Sequence, residues 1–194
     1  MSAFPLGRRT MYIERTDNMK ELFPEPPVLT GGRLCLRPLA PADAEDLGKL
    51  TGQEEVYRYL PTFLFEKRYA KAADAISRLY DEGLNDLLIL GVFRGDAFCG
   101  LAEVYGYRAP IHKASVGYRL LREEWGKGIA SEALGMIIGE LLTARGIEII
   151  TASTMPENRA SARVLLKNGF ILVEHAVDED WGYDGPTPAD KWIR

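Results

Sequence analysis

Three strand-like runs, DLLILGVF, AFCGLAEVYGYR and KASVGYRLL, follow one another between Asp86 and Leu121 with only residues 94–96 and 109–112 to join them. Connections this short link antiparallel neighbours, so the middle of the chain is committed to an antiparallel meander. Upstream, RLCLRPL alternates Leu34, Leu36 and Pro38 with Arg33, Cys35 and Arg37, the pattern of a half-buried strand that ends at its proline. Two helices are expected before the meander. APADAEDLGKL carries acidic residues in its first turn, where they complement the helix dipole, and residues 66–81 place Tyr69, Ala73, Ile76 and Tyr80 at helical spacing with Gly83 as a stop. Beyond Trp125 the rhythm changes to helix, strand, helix, strand. Ala130, Leu134, Ile137, Ile138 and Leu141 form an apolar stripe, and IEIITAST is a β-branched strand. ENRASARVLLKNG is a helix closed by Asn168 and Gly169, and FILVEHAV and DKWIR complete the strands. The sum is an α+β (mixed α/β) chain with helices on the faces of a mixed sheet.

The 194 residues, 46% of them hydrophobic, suffice for one domain with a sizeable core. Residues 31–194 are assigned to it, and residues 1–30, with the FPEPPV cluster and no sustained periodicity, are expected to form an arm or leader. A net charge of −4 gives no support to nucleic-acid binding, which needs clustered cations, and leans slightly toward a cationic substrate such as an amine. No apolar run approaches the roughly 18 residues of a membrane span, and the first thirty residues lack a signal-peptide pattern. A cytoplasmic protein that does not engage a membrane is expected. Cys35 and Cys99 form neither a disulfide framework nor a Cys-x-x-Cys pair, and His112 and His175 add no zinc spacing, so no metal is expected.

The chemistry concentrates at REEWGKGIASEAL. A strand delivers the chain to Gly126 and Gly128, which permit positive φ, and a helix then begins with several unpaired N–H groups aimed at one spot. Such a spot attracts anions, a pyrophosphate in particular, and Lys127 adds charge. The stretch is neither a dinucleotide-fold G-x-G-x-x-G nor a P-loop. Downstream, Asn158 and Ser161 occupy one side of a helix N-terminal turn, where they could face the same ligand or serve as a cap and a satisfied hydroxyl.

In this order, W-G-K-G-I-A-S-E-A and N-R-A-S-A-R-V-L-L-K-N-G-F resemble the acetyl-CoA loop and the second CoA-contacting helix of the GNAT N-acetyltransferase superfamily, in its branch of ribosomal-protein N-terminal acetyltransferases. L-R-P-L-A-P-A-D-A-E-D-L and V-G-Y-R-L extend the similarity, which covers roughly residues 33–173. The resemblance implies a GNAT fold, with a mostly antiparallel twisted sheet of about six or seven strands splayed at a parallel pair. It implies acetyl-CoA as cosubstrate, bound by Leu120, Leu121, Arg122, Trp125, Gly126, Lys127, Gly128, Ile129, Ala130, Ser131, Asn158, Ser161 and Arg163. Pantetheine would enter between residues 114–121 and 148–154 and pair with backbone groups around Leu120, Leu121 and Arg122.

The acetyl group would pass directly to a primary amine, on a protein N-terminus or a small molecule. Ser161 matches the hydroxyl beside the departing sulfur, and no tyrosine follows it on that helix. Many relatives carry a carboxylate where Ser115 stands, so Glu103 is the leading base, followed by Glu174 and residues 178–180. Arg159 and Lys167 are weaker candidates for a CoA phosphate, and Tyr105, Tyr107, Tyr118, Trp181 and Tyr183 for the acceptor pocket. A non-catalytic CoA-binding sensor or assembly module stays open, as do a general phosphate-binding protein and a homodimer. Substrate selection is expected in residues 41–83 and in the tail DEDWGYDGPTPADKWIR.

Overall fold

The computed structural model describes residues 16–194. Much of the stretch expected as an arm belongs to the body. A single turn, α1 (Met19–Leu22), is capped by the Asn18 side chain and buries Met19, Leu22 and Phe23, a pattern too short to register as periodicity. The rest of the stretch leads into β1 (Leu29–Gly31), which forms a hairpin with β2 (Leu34–Arg37). Residues 1–15 of the expected arm lie outside the described residues.

Three short helices follow, α2 (Ala44–Thr51), α3 (Glu54–Tyr57) and α4 (Ala72–Leu79). The single helix expected over residues 66–81 is broken. Phe65–Arg68 is a 3-10 turn, Tyr69 is extended, and α4 starts only after Lys71. The break follows from Glu66, whose carboxylate is drawn into a buried ion pair with Arg119, while the Phe65 and Tyr69 rings meet at 5.3 Å. Nor does Gly83 stop the helix. Tyr80 does, its hydroxyl accepting from Leu39 N and donating to the Ile89 carbonyl.

The meander is β3 (Leu87–Arg94), β4 (Ala97–Arg108) and β5 (Lys113–Leu120), followed by α5 (Ile129–Thr143), β6 (Ile149–Thr154), α6 (Arg159–Lys167), β7 (Ile171–Glu179) and β8 (Thr187–Ile193). They form one sheet of eight strands in the order β1-β2-β3-β4-β5-β6-β8-β7, one strand more than the upper expectation because β1 was hidden in the arm. Every pairing is antiparallel except β5 with β6. The C-terminal strand pairs within its own chain, between β6 and β7, where Trp192 Nε1 donates to Thr154 Oγ1 at 2.9 Å. β7 is left as the edge, with Ile171, Leu172 and Val173 exposed.

Alternation along β3 divides the core. Leu88, Leu90 and Val92 join α5, and Ile89 and Phe93 join α2 and α4 on the opposite face. α5 buries Ile129, Ala133, Leu134, Ile137, Ile138 and Leu141, and each fully buried Leu or Ile contributes about 1.5–3 kcal/mol. Ile129 and Ala133, rather than the expected Ala130, open that stripe, and Ala130 turns to a cleft between β5 and β6. The two strands pair only from Lys113–Ile149 to Ser115–Thr151, where the Ser115 and Thr151 hydroxyls meet at 2.8 Å. Beyond that rung β5 follows β4 and β6 follows β8, and the sheet opens.

Candidate active site

The opening widens into a cleft of about 700 Å³, floored by β5 and walled by the start of α5 and by α6. Leu121 N donates to the Cys99 carbonyl, and Leu120 stands opposite Gly100 on β4. In an antiparallel ladder alternate residues turn their N–H and C=O groups away from the partner strand, so those of Tyr118 and Leu120 point into the gap. One of them is used: the Leu120 carbonyl accepts from Trp125 Nε1 at 2.9 Å, which pins the half-exposed indole across the foot of the loop.

The loop then takes two left-handed steps, at Gly126 (φ 74°) and Gly128 (φ 78°), before α5 begins. An L side chain in this region costs about 1–2 kcal/mol, so glycine is favoured at both. Trp125 N donates to Arg122 O and Glu132 N to Gly128 O, but no backbone N–H of residues 126–131 has an acceptor among the described residues. Six successive donors therefore stand open at the N-terminus of a fifteen-residue helix, a concave anion cradle. Asn168 Nδ2 donates to the Ser131 carbonyl and hydroxyl, tying the end of α6 to the start of α5.

Across the gap, Asn158 caps α6, its Oδ1 accepting from Ser161 N at 3.2 Å. Ser161 Oγ lies 2.8 Å from the Tyr118 hydroxyl. Burial pushes the Tyr118 phenol up to about 12, with the Ser161 hydrogen bond opposing, so the phenol keeps its proton at neutral pH. This pair was not expected: Tyr118 was read as an acceptor-pocket residue, and it reaches Ser161 from β5 rather than from the helix.

Below the cleft lies a buried ionic network. Arg119 is ion-paired with Glu66, its Nε 2.6 Å from Oε1 and its Nη2 donating to Oε2 at 2.7 Å, and it donates to Glu103 Oε2 from Nη1 at 2.8 Å. Tyr57 OH donates to Glu66 Oε1 at 3.0 Å. Burial alone would lower the Arg119 guanidinium, but the charges of Glu103 and Glu66 outweigh it and hold it above its ordinary value. Burial, with Glu103 and Glu179 nearby, also raises the Tyr105 phenol. Tyr59, Phe63, Phe65, Tyr105 and Trp181 also line the cleft, and Thr62 N donates to the Trp181 carbonyl at 2.9 Å. The two segments expected to govern substrate choice, one before the meander and one in the tail, thus meet here.

Most expected site residues line the cleft: Glu103, Leu120, Trp125, Gly126, Gly128, Ile129, Ala130, Ser131, Asn158, Ser161 and the exposed Arg163. Three do not. Leu121 is buried in the opposite core with its N–H spent on Cys99. Arg122 gives its N–H to Gln53 Oε1 and its guanidinium to Glu55. Lys127 folds its ammonium back to the buried carboxylate of Glu124 at 3.1 Å, which also draws in Arg94. Among the other candidates, Arg159 is exposed outside the cleft, whereas Lys167 lines it. Tyr107 packs on the core beside α1, and Tyr183 is spent on the Leu60 carbonyl. Glu174 stands exposed on the edge strand and Asp178 off the cleft, while Asp180 and Glu179 line it, the latter paired with Lys191. Arg33, Glu66, Glu132 and Arg119 carried no local signal, since their ionic partners lie 16 to 99 residues away.

The model of the family described as the acetyltransferase (GNAT) domain matches residues 33–171. The uncharacterized N-acetyltransferase YoaA of Bacillus subtilis is 29% identical over 168 residues, covering 84% of this chain and 93% of the relative. RimJ of Mycobacterium smegmatis, solved in complex with CoA-disulfide, superposes with a TM-score of 0.75 at 23% identity, covering 87% of each chain. The spermidine N-acetyltransferase of Vibrio cholerae, solved with CoA and spermine, gives 0.70 at 20% identity, covering 84% of this chain and 96% of the other. No helix among the described residues is long and apolar enough to cross a membrane.

Proposed function

The chain is an N-acetyltransferase of the GNAT family, and from that premise we propose that it carries an acetyl group from acetyl-CoA directly to a primary amine, on a protein N-terminus or a small molecule. One observation carries the reading: the open amides of residues 126–131 and the open edge of β5 meet in a single cleft. A helix N-terminus suits a diphosphate and a strand edge suits an amide-bearing arm, so the donor set fits the two parts of CoA. When bound, acetyl-CoA supplies a thioester-activated acetyl group.

The chain's own residues divide the remaining work. Trp125, Gly126, Gly128, Ile129, Ala130 and Ser131 form the diphosphate cradle, Asn158 borders the arm and Arg163 serves an outer phosphate. The Leu120 N–H holds negative charge that develops on the acyl oxygen. Glu103, its carboxylate fixed by Arg119, takes the amine proton through a water. Ser161 gives its hydroxyl proton to the departing sulfur as the Tyr118 phenol passes it one, and Tyr118 in turn regains a proton from solvent water entering the cleft. Tyr59, Phe63, Tyr105 and Trp181 surround the amine's body, where aromatic faces favour a cation. The spermidine enzyme of the same fold agrees with an amine acceptor.

Thiol release from acetyl-CoA, followed across a panel of peptides with free N-termini and small amines, tests this reading. Amine-dependent release with an acetylated product by mass spectrometry is expected. Tight CoA binding without amine-dependent release over the whole panel would overturn it in favour of a CoA sensor.

A further inference from the structure

Arg33 lies outside the cleft, in the turn between β1 and β2, yet it touches the glycine loop from behind. Its backbone N–H donates to Glu132 Oε1 at 3.0 Å and its Nε to Glu132 Oε2 at 2.8 Å. Its Nη2 donates to the Lys127 carbonyl, and a Cβ added at Gly128 would sit 3.4 Å from that nitrogen. Glu132, in the first turn of α5, also donates its own N–H to the Gly128 carbonyl. Arg33 and Glu132 thus close a ring around the Lys127–Gly128 peptide.

A trans peptide holds its C=O and N–H pointing in opposite directions. With the Lys127 carbonyl drawn back to Arg33, the Gly128 N–H is aimed the other way, toward the cleft that Gly128 lines and Lys127 does not. Glycines flank Lys127 on both sides, so without this anchor the peptide could rotate at little steric cost.

We propose that Arg33, oriented by Glu132, is a positioning residue that sets the Lys127–Gly128 peptide for diphosphate binding, and so governs affinity for acetyl-CoA without touching it. The Arg33 N–H and guanidinium hold the Glu132 carboxyl below the usual carboxylate range, as expected of a carboxylate that accepts both bonds. The pair is partly exposed, with side-chain exposures of 47% and 27%, so its contribution to stability is small and its effect belongs to geometry. The inference rests on the diphosphate reading of the loop.

The test compares acetyl-CoA with acetyl-pantetheine, which lacks the diphosphate, as donors for Arg33→Ala, Arg33→Lys and Glu132→Gln. For each variant KM for acetyl-CoA rises about ten- to a hundredfold, the weight of one hydrogen bond to a charged group, while kcat and the KM for acetyl-pantetheine stay put. Lysine does not rescue, because one ammonium cannot reach both acceptors in the guanidinium's fork. Glu132→Gln is the decisive variant: removing a negative charge near an anion site tightens binding if charge alone matters, and loosens it if the ring positions the peptide. An unchanged KM in all three, full rescue by lysine, or tighter binding by Glu132→Gln overturns the inference. Should wild type itself show no preference for acetyl-CoA over acetyl-pantetheine, the diphosphate reading fails instead. Thermal melts of each variant identify loss of folding, against which Glu132→Gln, a near-isosteric change, is the safeguard.

Discussion

Deleting either hydroxyl of the Tyr118–Ser161 pair separates a proton relay from a structural hydrogen bond. The two oxygens are 2.8 Å apart, both side chains are half-buried, and burial raises the phenol. For stability the bond is ordinary: Tyr118→Phe leaves a half-buried serine short of one partner, costing about 1 kcal/mol, or roughly 2–4 °C in Tm for a chain of this size. The effect on rate should be larger. A positioned acid contributes about 10²–10⁴-fold, and since a thiol with a pKa near 8.5 is already a fair leaving group, the low end applies. Ser161→Ala is therefore expected to lower kcat about 100-fold. Tyr118→Phe, which leaves Ser161 able to draw a proton from water, should lower it about tenfold. Because Tyr118 acts through Ser161, the double variant should be no slower than Ser161→Ala. Both deficits should shrink when the acetyl donor carries a more acidic thiol. Steady-state thiol release with matched donors reads all of this. A Tyr118→Phe enzyme with wild-type kcat, multiplicative losses in the double variant, or deficits indifferent to thiol acidity would each refute the relay.

Two further perturbations probe the frame that holds the site. Arg37 grips Asp43 through a fork of 2.8 and 2.9 Å, and this hydrogen bonding, with help from Ala40 N–H, holds the Asp43 carboxyl below its ordinary range. Stability from a depressed carboxylate is fully present above its unfolded pKa of about 3.9 and is lost as pH falls through the lower folded value. Asp43→Asn should then cost about 1.5–3 kcal/mol at pH 7 by urea unfolding, with the gap to wild type closing below about pH 4; a pH-independent gap would contradict this. Arg119→Met leaves Glu66 and Glu103 facing each other without their cation, and should cost about 3–5 kcal/mol. Adding Glu66→Gln and Glu103→Gln should recover part of that loss, and no recovery would contradict the account of the network.

The sequence revealed what depends on local spacing. Short turns announced the meander, and the glycine pair announced a loop whose backbone is left open, because both are properties of a few consecutive residues. The splay between β5 and β6 came only through family resemblance. What escaped depends on partners distant in the chain. Glu66 broke an expected helix because Arg119, 53 residues on, needed a second carboxylate, and no periodicity records that demand. Lys127 looked like a phosphate ligand until Glu124, buried three residues earlier, claimed its ammonium. Leu121 and Arg122 lie one and two positions beyond Leu120: strand alternation turns the Leu121 N–H back to Cys99, and Arg122, past the end of β5, gives its N–H to Gln53. Arg33 was read as an outward strand residue, and its 99-residue reach to Glu132 was invisible.

The central claim is that main-chain amides of residues 126–131 take the diphosphate while the β5 edge takes the arm. Backbone amide NMR of the full chain, titrated separately with CoA, ADP and acetyl-pantetheine, tests it most directly. The Gly126, Gly128, Ile129 and Ala130 amides should move with CoA and ADP but hardly with acetyl-pantetheine, and those of Tyr118 and Leu120 should move with CoA and acetyl-pantetheine but hardly with ADP. Saturable CoA binding that leaves the loop amides where they were would contradict the account.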